Sequence, residues 1–337
     1  MNDETVNTIA DIARLAGVSK STVSRALNDS PLIGEETKQR IRELAQAHDF
    51  RMNVPARRLS LQQSHAVGLV AYAYKADSTI PDAFMLEIMG GISAGLVASD
   101  YDLLVIHVDP DDVEWVSRYH ESGRVDGFIL LSAMCKPQHL VALADAGAPF
   151  VIWGDSGGQG HCSVRGDSVT GGKLATEHLL RAGRKRIAFL GGSAKAPEVR
   201  DRYRGYEEAL REAGIEVDDA LVAHASWQQP ESSSADAVHE LLGRAPDIDA
   251  VFANSDLLAI GAMDAIRDHG RSVPGDVAVV GYDDVALARH SNPPLTTIRQ
   301  DGPLAGRLLA QSLVQHLQTG VVTHTSIPAE LVVRQSA

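Results

Sequence analysis

Cysteine is nearly absent: 337 residues carry two, Cys135 and Cys162. Their isolated positions match neither a zinc-ligand spacing nor a disulfide framework. Long apolar runs are absent too, none approaching the ~18 residues needed to span a bilayer. The opening Met1-Asn2-Asp3-Glu4-Thr5 is acidic and lacks the basic-then-apolar order of a secretion signal. The thirteen histidines are dispersed, with no H-E-x-x-H pair, so no metal site and no cofactor is expected. A chain with 44% apolar and 22% charged residues is neither disordered nor fibrous. A protein of two or three folding units, cytoplasmic and without a membrane partner, is expected.

Charge is unevenly spread over the formal total of -13. Residues 1–61 hold nine Lys/Arg against eight Asp/Glu, and the rest hold 22 against 36, a charge of -14. Phosphate would be repelled by that body, so nucleic acid could only meet the first sixty residues.

Those residues read as three helices. Thr8 followed by Ile9-Ala10-Asp11 has the capping-box pattern, and Ile12, Leu15 and Ala16 then share a face. Gly17-Val18 supplies a tight turn. Ser19 can cap a second helix, 20–27, with Val23, Ala26 and Leu27 inward and Lys20, Ser21, Ser24 and Arg25 outward. Asn28-Asp29-Ser30-Pro31 breaks the run, and a third helix from about 35 to 48 buries Ile41, Leu44 and Ala45. Two short helices joined by a glycine turn form a helix-turn-helix, whose second helix can enter a major groove. A small packing unit with a solvated polar face is the plainer alternative.

The run from Thr8 to Asn28, TIADIARLAGVSKSTVSRALN, closely resembles the headpiece of the lactose- and galactose-repressor (LacI/GalR) family. The resemblance implies that Lys20, Ser21 and Arg25 read bases. Thr8, Ser19, Thr22, Ser24 and Asn28 match positions that touch phosphate or hold the helix. Asn53-Val54-Pro55-Ala56-Arg57-Arg58-Leu59 resembles the family's hinge helix. There Asn53, Ala56, Arg57 and a minor-groove wedge, Leu59, would meet DNA when two chains pair. Met52 stands where a proline is usual, and Pro55 where an aliphatic residue is common.

From residue 65 short apolar strands (66–71, 103–108, 127–131, 150–153, 187–190, 250–252, 277–280) alternate with amphipathic stretches (84–99, 169–182, 203–213, 256–269). Such alternation predicts parallel sheets with helices on both faces, in two similar lobes around a cleft. Val169–Leu179 (VTGGKLATEHL), Gly281-Tyr282-Asp283-Asp284 and Pro293–Gln300 (PPLTTIRQ) look like signatures of the same family. The fold class implied is α/β: an all-α helix-turn-helix headpiece plus a two-lobed, periplasmic-binding-protein-like effector domain. The divisions expected are 1–52 headpiece, 53–64 hinge and linker, and 65–337 effector and dimerisation domain. Lobe 1 would comprise about 65–158 and 292–323, and lobe 2 about 159–291 and 324–337. Interlobe crossings are expected near 154–160, 288–292 and 320–325.

By position in that family, Arg202 would grip an effector and Asp283 accept its hydroxyl hydrogens. Ser255 stands where relatives carry asparagine, while Tyr72, Asp82, Phe84 and Trp227 would line the cleft. Paired donors and acceptors beside aromatic faces suit a mono- or oligosaccharide. Two enzyme-like motifs fit poorly. Gly154-Asp155-Ser156-Gly157-Gly158 matches a nucleophile elbow, but glycines follow where a helix should begin. Gly171-Gly172-Lys173 imitates a phosphate loop, but Leu174 replaces the required Ser/Thr. The reading is a non-enzymatic repressor that binds a pseudo-palindromic, double-stranded operator as a homodimer and is released by a small-molecule effector. Without an appended heptad run, a dimer is favoured over a tetramer. The alternative is a cytoplasmic sugar-binding protein or enzyme on the same fold.

Overall fold

The computed structural model describes residues 8–50, 63–72, 83–131, 135–154, 160–192, 196–225 and 230–337, with only the backbone of Tyr72 and of 230–232. The chain divides into two compact units, Met1–Ser64 and His65–Ala337.

In the first unit, α1 (Ile9–Ala16) opens on a capping box: Thr8 Oγ1 accepts from the Asp11 amide, and Asp11 accepts from the Thr8 amide. Gly17 closes it at φ 66°, the left-handed region that a Cβ disfavours. Ser19 Oγ accepts from the Thr22 amide at 3.1 Å and starts α2 (Lys20–Leu27). The third helix, α3 (Glu35–Ala47), crosses both, and Arg40 donates to the Ala16 carbonyl at 2.8 Å. Ile12, Val23 and Ile41 are wholly buried between them. Each contributes ~1.5–3 kcal/mol of apolar burial, enough for a small three-helix core.

The second unit holds two six-stranded sheets. In chain order the first lobe begins with β1 (Ala66–Tyr72), α4 (Ala83–Val97), β2 (Asp102–Val108), β3 (Gly127–Leu131), α5 (Pro137–Asp145), β4 (Phe150–Trp153) and β5 (Cys162–Gly166). The second lobe follows with α6 (Ser168–Arg181), β6 (Ile187–Gly191), α7 (Pro197–Glu212), β7 (Val222–His224), α8 (Pro230–Arg244), β8 (Ala250–Ala253), α9 (Asp256–Asp268), β9 (Ala278–Asp283) and β10 (Thr296–Arg299). Then α10 (Gly302–Thr319) and β11 (His324–Ile327) rejoin the first lobe, and β12 (Glu330–Val332) ends in the second. The sheet orders are β11-β5-β4-β3-β1-β2 and β12-β10-β9-β8-β6-β7. Every pairing is parallel except β12 on β10. Strands such as β3, β4, β6 and β8 are buried throughout, as parallel strands covered on both faces must be.

This topology moves the lobe boundaries expected from the sequence. No change of lobe separates β4 from β5, because β5 pairs with β4 in one sheet, Val151 opposite Cys162. Nor does the chain leave the second lobe at 288–292, since β10 completes that sheet beside β9, Thr296 opposite Val280. At 320–325 it remains in the first lobe, where β11 adds to β5. The three crossings lie instead at Asp167, at Gln300-Asp301 and at Pro328-Ala329, so the first lobe spans 65–166 and 302–327. They run side by side: the Asp167 amide donates to the Ile327 carbonyl at 2.9 Å, and all three line one narrow cavity with Trp153 and Tyr282.

Each lobe contains a helix pair in backbone contact. A Cβ on Gly306 would lie 2.2 Å from the Ile88 carbonyl oxygen, locking α10 onto α4. A Cβ on Gly172 would lie 2.1 Å from the Arg202 carbonyl oxygen, locking α6 onto α7. The second pair positions Arg202.

Candidate functional site

Two surfaces carry chemistry. On α2, Lys20, Ser21 and Arg25 are exposed on the face opposite buried Val23 and Ala26, while Thr22, Ser24 and Asn28 are half-buried. Ser19 Oγ also reaches Ser21 Oγ at 2.7 Å and Thr22 Oγ1 at 2.8 Å, so these hydroxyls form one cluster at the helix start. The unit's other cations are partly committed. Lys38 is buried between Asp29 (3.1 Å) and Glu35 (2.7 Å), and Arg42 also meets Asp29. That pairing lowers the Asp29 carboxyl below its ordinary range, chiefly through the Lys38 hydrogen bond. Lys20 and Arg25 have no ion-pair partner among the described residues, and they face solvent at a capped helix N-terminus and one turn on. Thr8 is exposed and acts as the α1 cap. Asn53, Ala56, Arg57 and Leu59 lie outside the described residues.

The other surface lies at the carboxyl ends of the second sheet, where ligands of open α/β folds bind. Arg202, on α7, is 4% exposed. Its Nη1 donates to the Asn254 carbonyl at 2.6 Å, its guanidinium sits 3.7 Å over the Tyr282 ring, and Nη2 lies 3.8 Å from Asp283 Oδ1. Stacking and a carbonyl hold the cation without saturating its five donors, and Nε has no hydrogen-bond partner among the described residues. Asp283 ends β9 at φ 114°, a strained conformation for a side-chain-bearing residue, and its Oδ1 accepts from Gln300 Nε2 at 2.7 Å.

Beneath it lies Asp256, first residue of α9 and 1% exposed. It accepts from Thr297 Oγ1 and from the Val285 amide, bracing β10 and the segment after β9. Burial first, and the charge of Asp283 second, push its carboxyl well above the usual range. Ser255 caps α9, its Oγ accepting from the Leu258 amide at 3.3 Å. Asn254 is wholly buried and both its side-chain polar atoms are without a hydrogen-bond partner among the described residues. In the first lobe Phe84 opens α4 and packs on Trp153, ring centroids 5.7 Å apart. Tyr72 ends β1, and its side chain, like Asp82 and Trp227, lies outside the described residues.

A short segment links the two lobes without crossing between them. Val285, two residues after Asp283, belongs to the second lobe by sequence yet is buried in the first-lobe core with Phe84, Met85 and Ile88. Beside it the Ala286 amide donates to Glu87 of α4. Burial, then the charge of Asp284, raises the Glu87 carboxyl above its ordinary value.

The enzyme-like motifs dissolve in the fold. Ser156 lies outside the described residues, and the next described regular element is strand β5. Lys173 pairs with Glu212 at 2.7 Å, and Gly172 serves helix contact. Among the described residues no cluster of three or more metal-ligating side chains occurs.

Comparison with known proteins matches two regions of the chain. Residues 8–53 match the pattern of bacterial regulatory proteins of the lacI family, and residues 176–337 that of the periplasmic binding protein-like domain. The chain is 34% identical over 336 residues to the HTH-type transcriptional regulator CelR of Thermobifida fusca, covering 98% of both. The chain belongs to the LacI family. It is 31% identical to the ribose operon repressor of Escherichia coli, over 92% of this chain and 93% of that one. A structure of the CelR–cellobiose complex superposes with TM-score 0.76 at 32% identity, covering 98% of this chain and 99% of that one. The lac repressor dimer bound to operator and the anti-inducer ONPF superposes with TM-score 0.80 at 26% identity, covering 98% of each. This LacI-family chain is therefore a DNA-binding transcriptional regulator. Its family-specific DNA-binding region contains α1 to α3, and its binding-protein-like region contains Arg202, Ser255 and Asp283.

Proposed function

We propose that this regulator represses transcription as a homodimer on a pseudo-palindromic operator and that a sugar bound between its lobes releases it. The buried Arg202 clamp carries the effector reading. A guanidinium with unused donors beside a carboxylate acceptor fits two neighbouring hydroxyls of a sugar, one accepting from Arg202 and one donating to Asp283. Asn254 adds a buried amide, and Phe84 with Trp153 adds an apolar face for C–H surface. The CelR–cellobiose complex and a second LacI-family regulator solved with bound ribose, 26% identical to this chain, make those two compounds the first probes. The described residues of the site offer binding groups, which supports reading the ligand as a signal.

In this reading Lys20, Ser21 and Arg25 read each half-site in the major groove, and Leu59 wedges the centre from the minor groove. Effector binding draws the lobes together at Arg202 and Asp283. The same segment seats Val285 in the first lobe, so the movement reaches α4. The coupling is limited by the sugar's differential affinity for the two states, typically ~1–3 kcal/mol.

Thermal unfolding against sugars, sugar phosphates and nucleobases tests the effector class. A ligand at a hundred times its Kd adds ~2.7 kcal/mol, a visible rise in melting temperature. One sugar series should raise it, and Asp283→Ala should lose the rise. A rise only with nucleobases, or one retained by Asp283→Ala, would contradict the assignment.

A further inference from the structure

The histidines look dispersed along the sequence, yet the fold brings two of them together on the second lobe. His239 lies on the exposed side of α8, and His269 caps the C-terminus of α9. The two helices share a core through Val238, Leu241, Ala262 and Ile266, which fixes their spacing. His239 Nδ1 stands 2.9 Å from His269 Nε2, with ring centroids 4.9 Å apart. On the far side of its ring, His269 Nδ1 stands 2.9 Å from the Ala265 carbonyl oxygen. A carbonyl oxygen can only accept, so His269 carries its proton on Nδ1. In the neutral ring, Nε2 then presents its lone pair toward His239. The proton of His239 sits on Nδ1 in this hydrogen-bonded pair. Moving it to Nε2, by tautomer exchange with solvent, opens a second lone pair beside the first.

We propose that His239 and His269 form a two-imidazole site for a late first-row divalent cation such as Cu²⁺ or Ni²⁺. Metal-bound histidines commonly donate their other N–H to a backbone carbonyl, which fixes tautomer and ring orientation. His269 already makes that bond. Metal–nitrogen bonds of ~2.0–2.1 Å to nitrogens 2.9 Å apart subtend about 90° at the metal. That is the cis angle of square-planar and octahedral ions. Water completes the coordination, because both rings are exposed and the ion enters directly from solvent. Both imidazoles bind as neutral ligands, so the step forms two metal–nitrogen bonds, displaces two metal-bound waters and releases no proton. The ion would tie α8 to the far end of α9, the helix whose near end supplies Ser255 and Asp256. It would therefore stiffen the lobe that grips the effector.

The test is calorimetric titration of the full-length, untagged protein with NiCl₂, together with electron paramagnetic resonance of the Cu²⁺ form. The tightest site should take one Ni²⁺ per chain. His239→Ala and His269→Ala should each weaken it at least ~10-fold, the scale on which ligand-shell losses act. His107→Ala, an exposed histidine on β2, should leave it unchanged. The Cu²⁺ spectrum should show two equatorial nitrogens in the wild type and one in either variant. Ni²⁺ should raise the melting temperature of the wild type and of neither variant, a readout that does not depend on any sugar. A tightest site that survives both substitutions, or only weak, multi-site binding by scattered histidines, would overturn the proposal.

Discussion

Replacing Gly172 by alanine strikes the contact that sets Arg202 in place. The added Cβ would stand 2.1 Å from the Arg202 carbonyl oxygen, 2.9 Å from its carbon and 3.0 Å from its Cα. All three are backbone atoms of a helix, so no side chain can swing aside. To reach ordinary contact, α6 and α7 must part by roughly 1 Å, an overpacking that costs ~1–3 kcal/mol. The same shift carries the guanidinium off the Tyr282 ring, now 3.7 Å away, and alters its 3.8 Å approach to Asp283. If one hydrogen bond from this charged group to the sugar is lost, worth ~1.5–3 kcal/mol, effector affinity falls about 10–150-fold. Urea denaturation measures the first effect and calorimetric titration the second. Gly243→Ala is the control: that glycine lies in α8 with nothing within 4 Å of a new Cβ, so the change should stabilise by roughly 0.5–1 kcal/mol. If Gly172→Ala keeps both wild-type stability and wild-type effector affinity, the close approach does not set the Arg202 geometry.

Further outcomes follow from the other buried and exposed charges. Asp256 holds its proton longer when folded than unfolded, so its contribution to stability is fullest below the ordinary carboxylate range and declines as pH rises through the gap. Asp256→Asn keeps an acceptor for the Val285 amide, and its Nδ2 can donate to the Thr297 hydroxyl where the carboxylate accepts from it, so the variant should gain on the wild type as pH rises above the ordinary carboxylate range; denaturation curves that stay parallel would contradict the buried-carboxyl reading. Arg25→Ala should cost ~1–3 kcal/mol of operator binding and relax preference at one base position. Equal weakening on every sequence in a binding-site selection would show phosphate contact instead.

Much of the fold is legible in the sequence where local chemistry dominates. Thr8 and Ser19 announce their helices because a cap is a property of four consecutive residues. The strands at 127–131 and 150–153 coincide with their apolar runs because both faces are covered. The lobe crossings are not legible. The glycine-rich stretch after Trp153 resembles a hinge, but Cys162–Gly166 is recruited into the first sheet by pairing with β4, a long-range contact its weakly apolar sequence does not advertise. At the candidate site, Arg202 and Asp283 are named by family resemblance, and the fold brings them within 3.8 Å of each other. The supporting Asn254, Asp256, Tyr282 and Gln300 are not so named, although Ala253-Asn254-Ser255-Asp256 carries a signal: polar residues directly after a wholly apolar strand. Their roles depend on β8, β9 and β10 lying side by side, which only the sheet order reveals.

In the proposed mechanism one chain couples a ligand at Asp283 to DNA held by its headpieces. The most direct test is fluorescence anisotropy of the full chain on its selected operator, titrated with the sugar that raises its melting temperature. The wild type should lose about 5–150-fold in operator affinity as the sugar binds. Asp283→Ala should bind the operator as tightly as the wild type without sugar and remain unresponsive. An equal response in the variant, or an operator affinity that bound sugar leaves unchanged in the wild type, would contradict the account.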